Sequence, residues 1–325
     1  MLSAAVLGSI AGGGVQNNAP ESPSILMGGY TDPGDSGLPN YVDRRIREKN
    51  VYGTNSDGSA AGHYDFALIF WQWSSDIPDP DLLETVKDGV IPYVFFKARN
   101  ANLTLREIAH GAGDARIIEV SRYLQSVVAD GREVWFSWYD EPEVKRRMWN
   151  RGDDSHAEWN GMTSGDYVAS WRRVRTLFEQ HAPGVKFGYA SLNSDWTAAF
   201  FPAVGQLDRL DFVASSQFAW GCPPENTFLH EVLLARTKMA KLAPGVPHVI
   251  DAVAAGKGSC RASAQWIQDS VPVAQAFAAD RVNPLIAYGY WDDGSMALDS
   301  KPGSVDAWRR AVMTLHTEPG PAGPR

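Results

Sequence analysis

The segment 134–142, with the sequence VWFSWYDEP, joins an apolar run, interrupted only by Ser137, to two adjacent carboxylates. A strand buried on both faces shows such a run without polar alternation, and strands of this kind occur in parallel sheets that helices cover on both sides. The apolar part, Val134–Tyr139, has seven counterparts in the chain. These are Ser24–Tyr30, Phe66–Trp73, Ile91–Lys97, Val185–Ala190, Phe212–Gln217, His248–Ala252 and Leu285–Trp291.

Amphipathic stretches separate these eight runs. Within Asp166–His181 apolar residues recur at helical spacing from Val168 to Phe178, and Ser164 and Asp166 are candidate capping residues. Eight β–α units in about 290 residues predict an α/β fold, a single (β/α)8 TIM barrel. The alternative is an open doubly wound sheet, but no Gly-x-Gly-x-x-Gly motif follows an early strand.

Composition limits the classes of ligand. The 325 residues contain 30 Lys and Arg against 38 Asp and Glu, and the resulting net charge of −8 argues against a nucleic-acid partner. No apolar run approaches the ~20 residues that cross a bilayer, so we expect no membrane partner.

The 12 Trp, 11 Tyr and 13 Phe indicate a flat-faced ligand, with carbohydrate as the first candidate. The seven His lack metal-ligand spacing, so we expect no metal and no other cofactor.

The two ends of the chain differ from its middle. Residues 1–23 are small and Gly-rich and lack the basic and apolar regions of a secretory signal, which predicts a flexible leader or a docking peptide. Residues 317–325, TEPGPAGPR, predict a flexible Pro/Gly tail. Residues 24–316 contain no low-complexity linker, so we expect them to form one continuous barrel.

The carboxyl ends of the predicted strands carry tryptophans beside acids and amides. In a (β/α)8 barrel these ends form the face that holds the chemistry. Packing alone explains tryptophans inside strands, but it does not explain so many next to polar groups at one rim. We therefore predict a sugar site there, and its substrate-binding residues would be Trp71, Trp73, Asp140, Asn193, Trp196, Phe218, Trp220 and Trp291.

Several of these segments resemble glycoside hydrolase family 26, a (β/α)8 family of β-mannanases and related endo-glycanases that hydrolyse with retention. The resembling segments include Ile25–Tyr30, Trp71–Trp73, Val134–Glu141 and Tyr290–Asp292. The resemblance implies that Glu141, at the end of the fourth strand, is the general acid/base. It also implies that Trp291 forms a floor under the sugar beside the scissile bond.

Three departures from the family pattern concern the site itself. Asp140 stands where the family has His before the acid/base, and Phe218 replaces a Tyr that contacts the nucleophile. In the seventh strand the family has a Glu about five residues after a Pro. Here Pro247 is followed by Asp251, one residue early, and such an offset turns a side chain outward unless a bulge restores its direction. The second carboxylate is Asp251, or Asp292 or Asp293 at the end of the eighth strand, or it is absent.

The charged residues near Glu141 allow two interpretations each. Asp140 beside Glu141 would raise the pKa of one of the two carboxyls, which suits a proton donor, or Asp140 would turn away and pair with Arg99. The basic run 145–147 and Arg151 are typical of a solvated helix face, with an acidic glycan as the alternative contact.

Two classes of function follow. The first is an endo-acting glycoside hydrolase with two carboxylates, whose partner is a β-linked polysaccharide of cell-wall or mannan type. The second is a non-catalytic glycan-binding or structural protein on a degenerate barrel, such as a bacteriophage minor tail component. Because such a polymer lies outside the cytoplasm, we expect action outside the cell or within a virion, assembled through the N-terminal leader.

The two cysteines, Cys222 and Cys260, follow the sixth and seventh strands. In a barrel these positions fall on neighbouring loops of the same face. They form either one disulfide or two free thiols, and the choice depends on whether their Cα atoms lie within about 4.4–6.8 Å.

Overall fold

The computed structural model describes residues 24–32, 39–152, 154–192, 194–202, 205–207, 209–219, 228–255, 262–293 and 296–316. Eight parallel strands form a closed barrel in chain order, and the last strand pairs with the first. The strands are β1 (Leu26–Asp32), β2 (Phe66–Gln72), β3 (Ile91–Lys97), β4 (Trp135–Trp138), β5 (Lys186–Ser191), β6 (Phe212–Ala219), β7 (His248–Ala255) and β8 (Leu285–Asp293). The predicted (β/α)8 barrel is confirmed.

At least one helix follows every strand of the barrel. The helices are α1 (Asn40–Tyr52), α2 (Pro80–Lys87), α3 (Leu105–Ala109), α4 (Asp114–Ala129), α5 (Pro142–Trp149), α6 (Ser164–His181), α7 (Ser194–Phe200), α8 (Phe228–Leu242), α9 (Ser263–Ala278) and α10 (Ser304–Leu315). Short 3-10 turns lie at Asp154–Trp159 and Leu298–Ser300. Within the described ranges, no helix has the length and apolar character needed to cross a membrane.

All eight predicted runs form strands, and the differences lie at their ends. β6, β7 and β8 extend past the predicted ends to Ala219, Ala255 and Asp293. In β8 the pairing continues through two acids, Asp292 and Asp293, so hydrophobicity understates that strand, whereas β6 and β7 gain further apolar residues. The start of α6 also differs, because its N-cap is Thr163 rather than Ser164, in a reciprocal capping box with Asp166.

Alternate residues of each strand enter two different cores. In β3, Tyr93 and Phe95 fill the barrel interior, whereas Val94 and Phe96 pack against the helices. This division explains why the strands read as continuous apolar runs. It also corrects the prediction for Trp71, which lies on the outward face of β2, only 1% exposed, where its ring packs 6.2 Å from that of Tyr123 in α4.

Several predictions fall outside the described residues. They concern the leader 1–23, the tail 317–325, and the choice between a disulfide and free thiols at Cys222 and Cys260. Each stays a prediction.

Candidate active site

The turn between β4 and α5 presents two acids at the barrel mouth. β4 ends at Trp138, and α5 begins at Pro142, a residue preset for the first helical position. Glu141 immediately precedes the helix with a φ of 48°, and Tyr139 has a φ of 67°. Non-glycine residues in this left-handed region carry a conformational cost of about 1–2 kcal/mol each. Strained backbone of this kind clusters at functional sites.

A cavity of about 230 Å³ opens at this face of the barrel. Its wall combines acids, one lysine, one hydroxyl and several aromatic rings. The lining residues are Leu68, Phe70, Phe95, Asp140, Glu141, Lys145, Ser216, Phe218, Asp251, Ala252, Trp291 and Met296. Five of the predicted site residues therefore meet here, namely Asp140, Glu141, Phe218, Asp251 and Trp291.

Asp251 faces the cavity at a β-bulge. Along the β6–β7 pairing, Ser215 lies opposite Ile250 and Ser216 lies opposite Ala252, so Asp251 is an extra residue in β7. Alternation from Val249, which packs in the barrel interior, directs Asp251 inward, and the bulge lets Ala252 face the same cavity. Asp251 is 3% exposed and lines the cavity beside Ala252.

The bulge requires a glycine on the neighbouring strand. A Cβ at Gly289 in β8 would lie 2.3 Å from the carbonyl oxygen of Asp251. Any side chain there would collide with the bulged backbone, whereas glycine allows the close approach. The pairing of β7 with β8 is also irregular here, between Ile250 and Val253.

One hydroxyl group lies beside the two cavity acids. The Ser216 Oγ donates to Asp251 Oδ1 at 3.0 Å. The same side chain also lowers the pKa of Glu141, and it lines the cavity with both acids. Ser216 therefore interacts with both carboxyl groups.

Burial gives both acids an unusually high affinity for a proton. It raises the pKa of Glu141 to about 7, an effect that Lys145 opposes and Asp140 reinforces. Burial also raises the pKa of Asp251 to about 8, against the hydrogen bond from Ser216 and with the help of the Glu141 charge. Near neutral pH at least one of the two acids is protonated. Because Glu141 and Asp251 interact, they titrate as a pair.

Asp140 is the ionised member of the acid group. Burial alone would raise its pKa, but the ammonium groups of Lys145 and Lys97 outweigh that effect and lower the pKa of Asp140 to about 2. Lys97 Nζ lies 2.9 Å from Oδ1 and Lys145 Nζ lies 3.2 Å from Oδ2. The partners of Asp140 are therefore two lysines, and the predicted pairing with Arg99 is wrong.

Lys145 also corrects the interpretation of the basic run as a solvated face. Its side chain is 13% exposed, lines the cavity and lies 3.7 Å from Glu141 Oε2. The reason is helical spacing, because Lys145 stands four residues after Glu141, one turn into α5. Burial lowers the pKa of an ammonium group, but Asp140 and Glu141 overcome this and raise the pKa of Lys145, so it keeps its charge.

Aromatic rings form one wall of the cavity. The Trp291 ring stacks on Tyr30 with centroids 4.5 Å apart, and the edges of Phe70 and Phe218 meet it at 5.8 and 6.3 Å. These contacts hold the Trp291 ring in a defined orientation at the cavity. Flat aromatic walls of this kind suit the apolar faces of sugar rings.

Asp292 does not reach the cavity, which makes the prediction of a second carboxylate at this residue wrong. Alternation along β8 turns it away from Trp291 and out toward α1. There it is 2% exposed, accepts hydrogen bonds from the Arg47 guanidinium, and accepts the Leu298 backbone N–H at 2.7 Å. Asp292 is therefore a structural ion-pair partner.

The remaining residues of the predicted sugar site either lie away from the cavity or fall where the structure does not describe their side chains. Trp73 stacks on Phe96 at 5.5 Å outside the barrel. Trp196 belongs to α7, with no description of its side chain, and Asn193 and Trp220 lie outside the described residues.

Sequence reasoning missed Lys97, Ser216, Tyr30 and Phe70. For Lys97 a signal was present, because it ends a buried strand at the same face as Glu141. The structure also shows, over its described ranges, no cluster of three or more His, Cys, Asp or Glu side chains arranged to hold a metal ion.

Comparison with known proteins identifies the fold. No protein-family model matches the sequence, and no curated protein matches it either. The solved structures of similar fold include a family 1 β-glucosidase from Thermotoga maritima (12% identity, 92% of this chain and 99% of that one, TM-score 0.57). They also include GH26C from Muricauda sp. (9%, 93% and 89%, 0.56) and the YdhT protein from Bacillus subtilis (13%, 89% and 85%, 0.54). The similarity to these structures shows the (β/α)8 fold.

Proposed function

We propose that this protein is a retaining glycoside hydrolase that cleaves a β-linked polysaccharide, with Glu141 as general acid/base and Asp251 as nucleophile. The observation that carries the proposal is the pair of acids facing one aromatic-walled cavity at the carboxyl end of a barrel. No other acid of the described residues except Asp140 lines that cavity, and the two lysines already neutralise Asp140.

The position of Ser216 supports retention of configuration. Its hydroxyl donates to Asp251, and its side chain also lowers the pKa of Glu141, so both acids lie near the same residue. Retaining enzymes have carboxyl groups about 5–5.5 Å apart, whereas inverting enzymes leave about 6.5–9.5 Å for a water molecule. Two acids beside one serine agree with the shorter separation.

The two acids need different protonation states for their two roles. Attack requires Asp251 to be ionised while Glu141 keeps a proton for the leaving oxygen. Positive charge that develops on the anomeric carbon stabilises the Asp251 anion and favours the proton on Glu141. Because both acids are protonated below about pH 7 and both are ionised above about pH 8, we expect kcat/KM to peak in this narrow interval.

The test compares Glu141→Gln and Asp251→Asn with the wild type, using release of reducing ends from mannan and cell-wall polymers and, separately, glycan affinity. We expect Glu141→Gln to lower turnover by about 10²–10⁴-fold on the polymer and less on an aryl glycoside whose leaving group needs no proton. Affinity should change little. Wild-type hydrolysis that survives both substitutions would contradict the assignment.

A second candidate function is non-catalytic glycan binding on the same barrel. The observation in its favour is the raised pKa of Asp251, because a protonated carboxyl is a poor nucleophile. Binding needs Trp291 and the cavity but not the ionised acid. A wild type that binds wall glycan and releases no reducing ends from any polymer tested would support this candidate. In both cases the glycan implies action outside the cell or on a virion.

A further inference from the structure

Ser216 faces the catalytic cavity from β6. Phe212 and Ala214 of the same strand pack in the barrel interior, and alternation directs the Ser216 side chain to that side as well. Ser216 lines the cavity together with Glu141 and Asp251. The strand therefore brings a hydroxyl group to the side of the barrel where the two acids meet.

The two acids differ in the groups that can stabilise their ionised forms. The Ser216 Oγ donates to Asp251 Oδ1 at 3.0 Å, and among the described residues no other side chain hydrogen-bonds Asp251. Glu141 has a cation nearby, because Lys145 Nζ lies 3.7 Å from its Oε2. A negative charge on Glu141 is thus stabilised by an ammonium group, whereas a negative charge on Asp251 relies on one hydroxyl.

The Ser216 hydroxyl has no backbone acceptor that would fix its direction. Over the described ranges it donates to no carbonyl, whereas the buried hydroxyls of Ser121 and Ser170 donate to carbonyls three residues earlier in their helices. A serine hydroxyl carries a single hydrogen and can rotate to suit its acceptor. The same side chain lowers the pKa of both Glu141 and Asp251, so it favours the ionised form of either acid.

A retaining hydrolase moves its negative charge from one acid to the other. In the first step the ionised Asp251 forms a bond to the anomeric carbon, the glycosidic C–O bond breaks, and the leaving oxygen takes the proton of Glu141. Asp251 is then an ester and Glu141 is an anion. In the second step Glu141 takes a proton from water, and the water oxygen bonds the anomeric carbon. The electron pair of the ester C–O bond returns to Asp251, which restores the starting charges.

We propose that Ser216 is a positioning residue whose hydroxyl hydrogen follows this charge between the two acids. The hydrogen is donated to Asp251 before the attack, as in the structure, and to Glu141 in the glycosyl-enzyme intermediate. A hydrogen bond to an ionised acceptor is stronger than one to a neutral acceptor, and this difference sets the direction of each turn. The inference rests on the proposed function and assigns one hydroxyl to both of its steps.

The test separates the two steps with 2,4-dinitrophenyl β-mannobioside and β-cellobioside, whose leaving group needs no proton. In stopped flow, the burst of dinitrophenolate reports attack by Asp251, and the steady rate that follows reports hydrolysis of the intermediate. The proteins are the wild type, Ser216→Ala, Ser216→Thr and, as a matched control, Ser215→Ala. Ser215 is equally part of β6 and buried, but it points away from the cavity, with its Oγ 2.8 Å from His248 Nε2.

We expect Ser216→Ala to slow the burst by about 10–100-fold, which is the effect of losing one hydrogen bond to a charged group. The steady rate should fall less, by about 3–10-fold, because Lys145 still stabilises the Glu141 anion. Ser216→Thr keeps the hydroxyl and should restore most of both rates, and Ser215→Ala should match the wild type.

The pH profile provides a readout that a purely structural role would not move. Because Ser216 lowers the pKa of both acids, both limbs of the kcat/KM profile of Ser216→Ala should shift to higher pH on the polymer that the wild type hydrolyses. Ser215→Ala should keep the wild-type profile.

The outcomes separate this inference from the proposed function. An unchanged burst in Ser216→Ala, equal losses in Ser215→Ala, or a slowed burst with an unchanged steady rate would overturn the inference and leave the hydrolase intact. A wild type that releases no dinitrophenolate from either substrate and no reducing ends from any polymer would instead remove the hydrolase, and the movement of the hydroxyl with it.

Discussion

Replacing Asp251 by Asn should make the protein more stable at alkaline pH. Asp251 is 3% exposed, and burial raises its pKa from 3.8 to about 8. The folded protein therefore holds a proton that the unfolded chain releases above about pH 4. Its contribution to the free energy of unfolding is complete below that pH and falls as the pH rises to about 8. At 1.36 kcal/mol per pKa unit, the loss is on the order of 5 kcal/mol.

Asp251→Asn cannot ionise, so it avoids this loss, and its Oδ1 can still accept the Ser216 hydroxyl. The free energy of unfolding, from urea titrations followed by tryptophan fluorescence, should be nearly equal for the two proteins at pH 4.5. By pH 8.5 the variant should be several kcal/mol more stable. Asp130→Asn, at an exposed residue, is the control and should show no such divergence. Parallel curves for Asp251→Asn and wild type would refute the burial of this carboxyl.

Three further predictions concern the neighbouring groups. Lys145→Gln removes the charge that lowers the pKa of Glu141, so the kcat/KM profile should move to higher pH by about one unit; an unchanged profile would contradict the contact. Trp291→Ala should weaken binding of a neutral oligosaccharide by about 1–2 kcal/mol in calorimetry. If the variant and the wild type bind it equally well, Trp291 does not contact the sugar. Asp292→Asn leaves the buried Arg47 only the exposed Asp299 carboxylate as an ion-pair partner and should lower the free energy of unfolding by up to about 3–5 kcal/mol, with hydrolysis retained by the folded fraction. Loss of hydrolysis without loss of stability would instead indicate that Asp292 takes part in catalysis.

The barrel was predictable because its strands are buried on both faces. Helices cover one side of each strand and the filled interior covers the other, so every strand is an apolar run that the sequence displays directly. Glu141 was identifiable for a related reason, since an acid immediately after a buried strand must lie at the barrel mouth.

Side-chain direction was harder to predict than strand position. Trp71 and Asp292 both occur at strand ends that carry rim residues, but alternation turns them toward the helices. An alternation count starting from Phe66, which faces the interior, would have assigned Trp71 outward. Lys145 was misread because a run of three basic residues suggests solvent, although its spacing of four from Glu141 places it on the side of the helix that faces the acids.

The inserted residue in β7 also affects how the chain compares with its structural relatives. An extra residue in one strand moves every later position out of step with a strand that lacks it. A gap-free alignment of the two strands then sets the residues after Asp251 opposite residues of the other orientation. Alignments of barrel strands should therefore permit a one-residue gap where the adjacent strand carries a glycine in the position of Gly289.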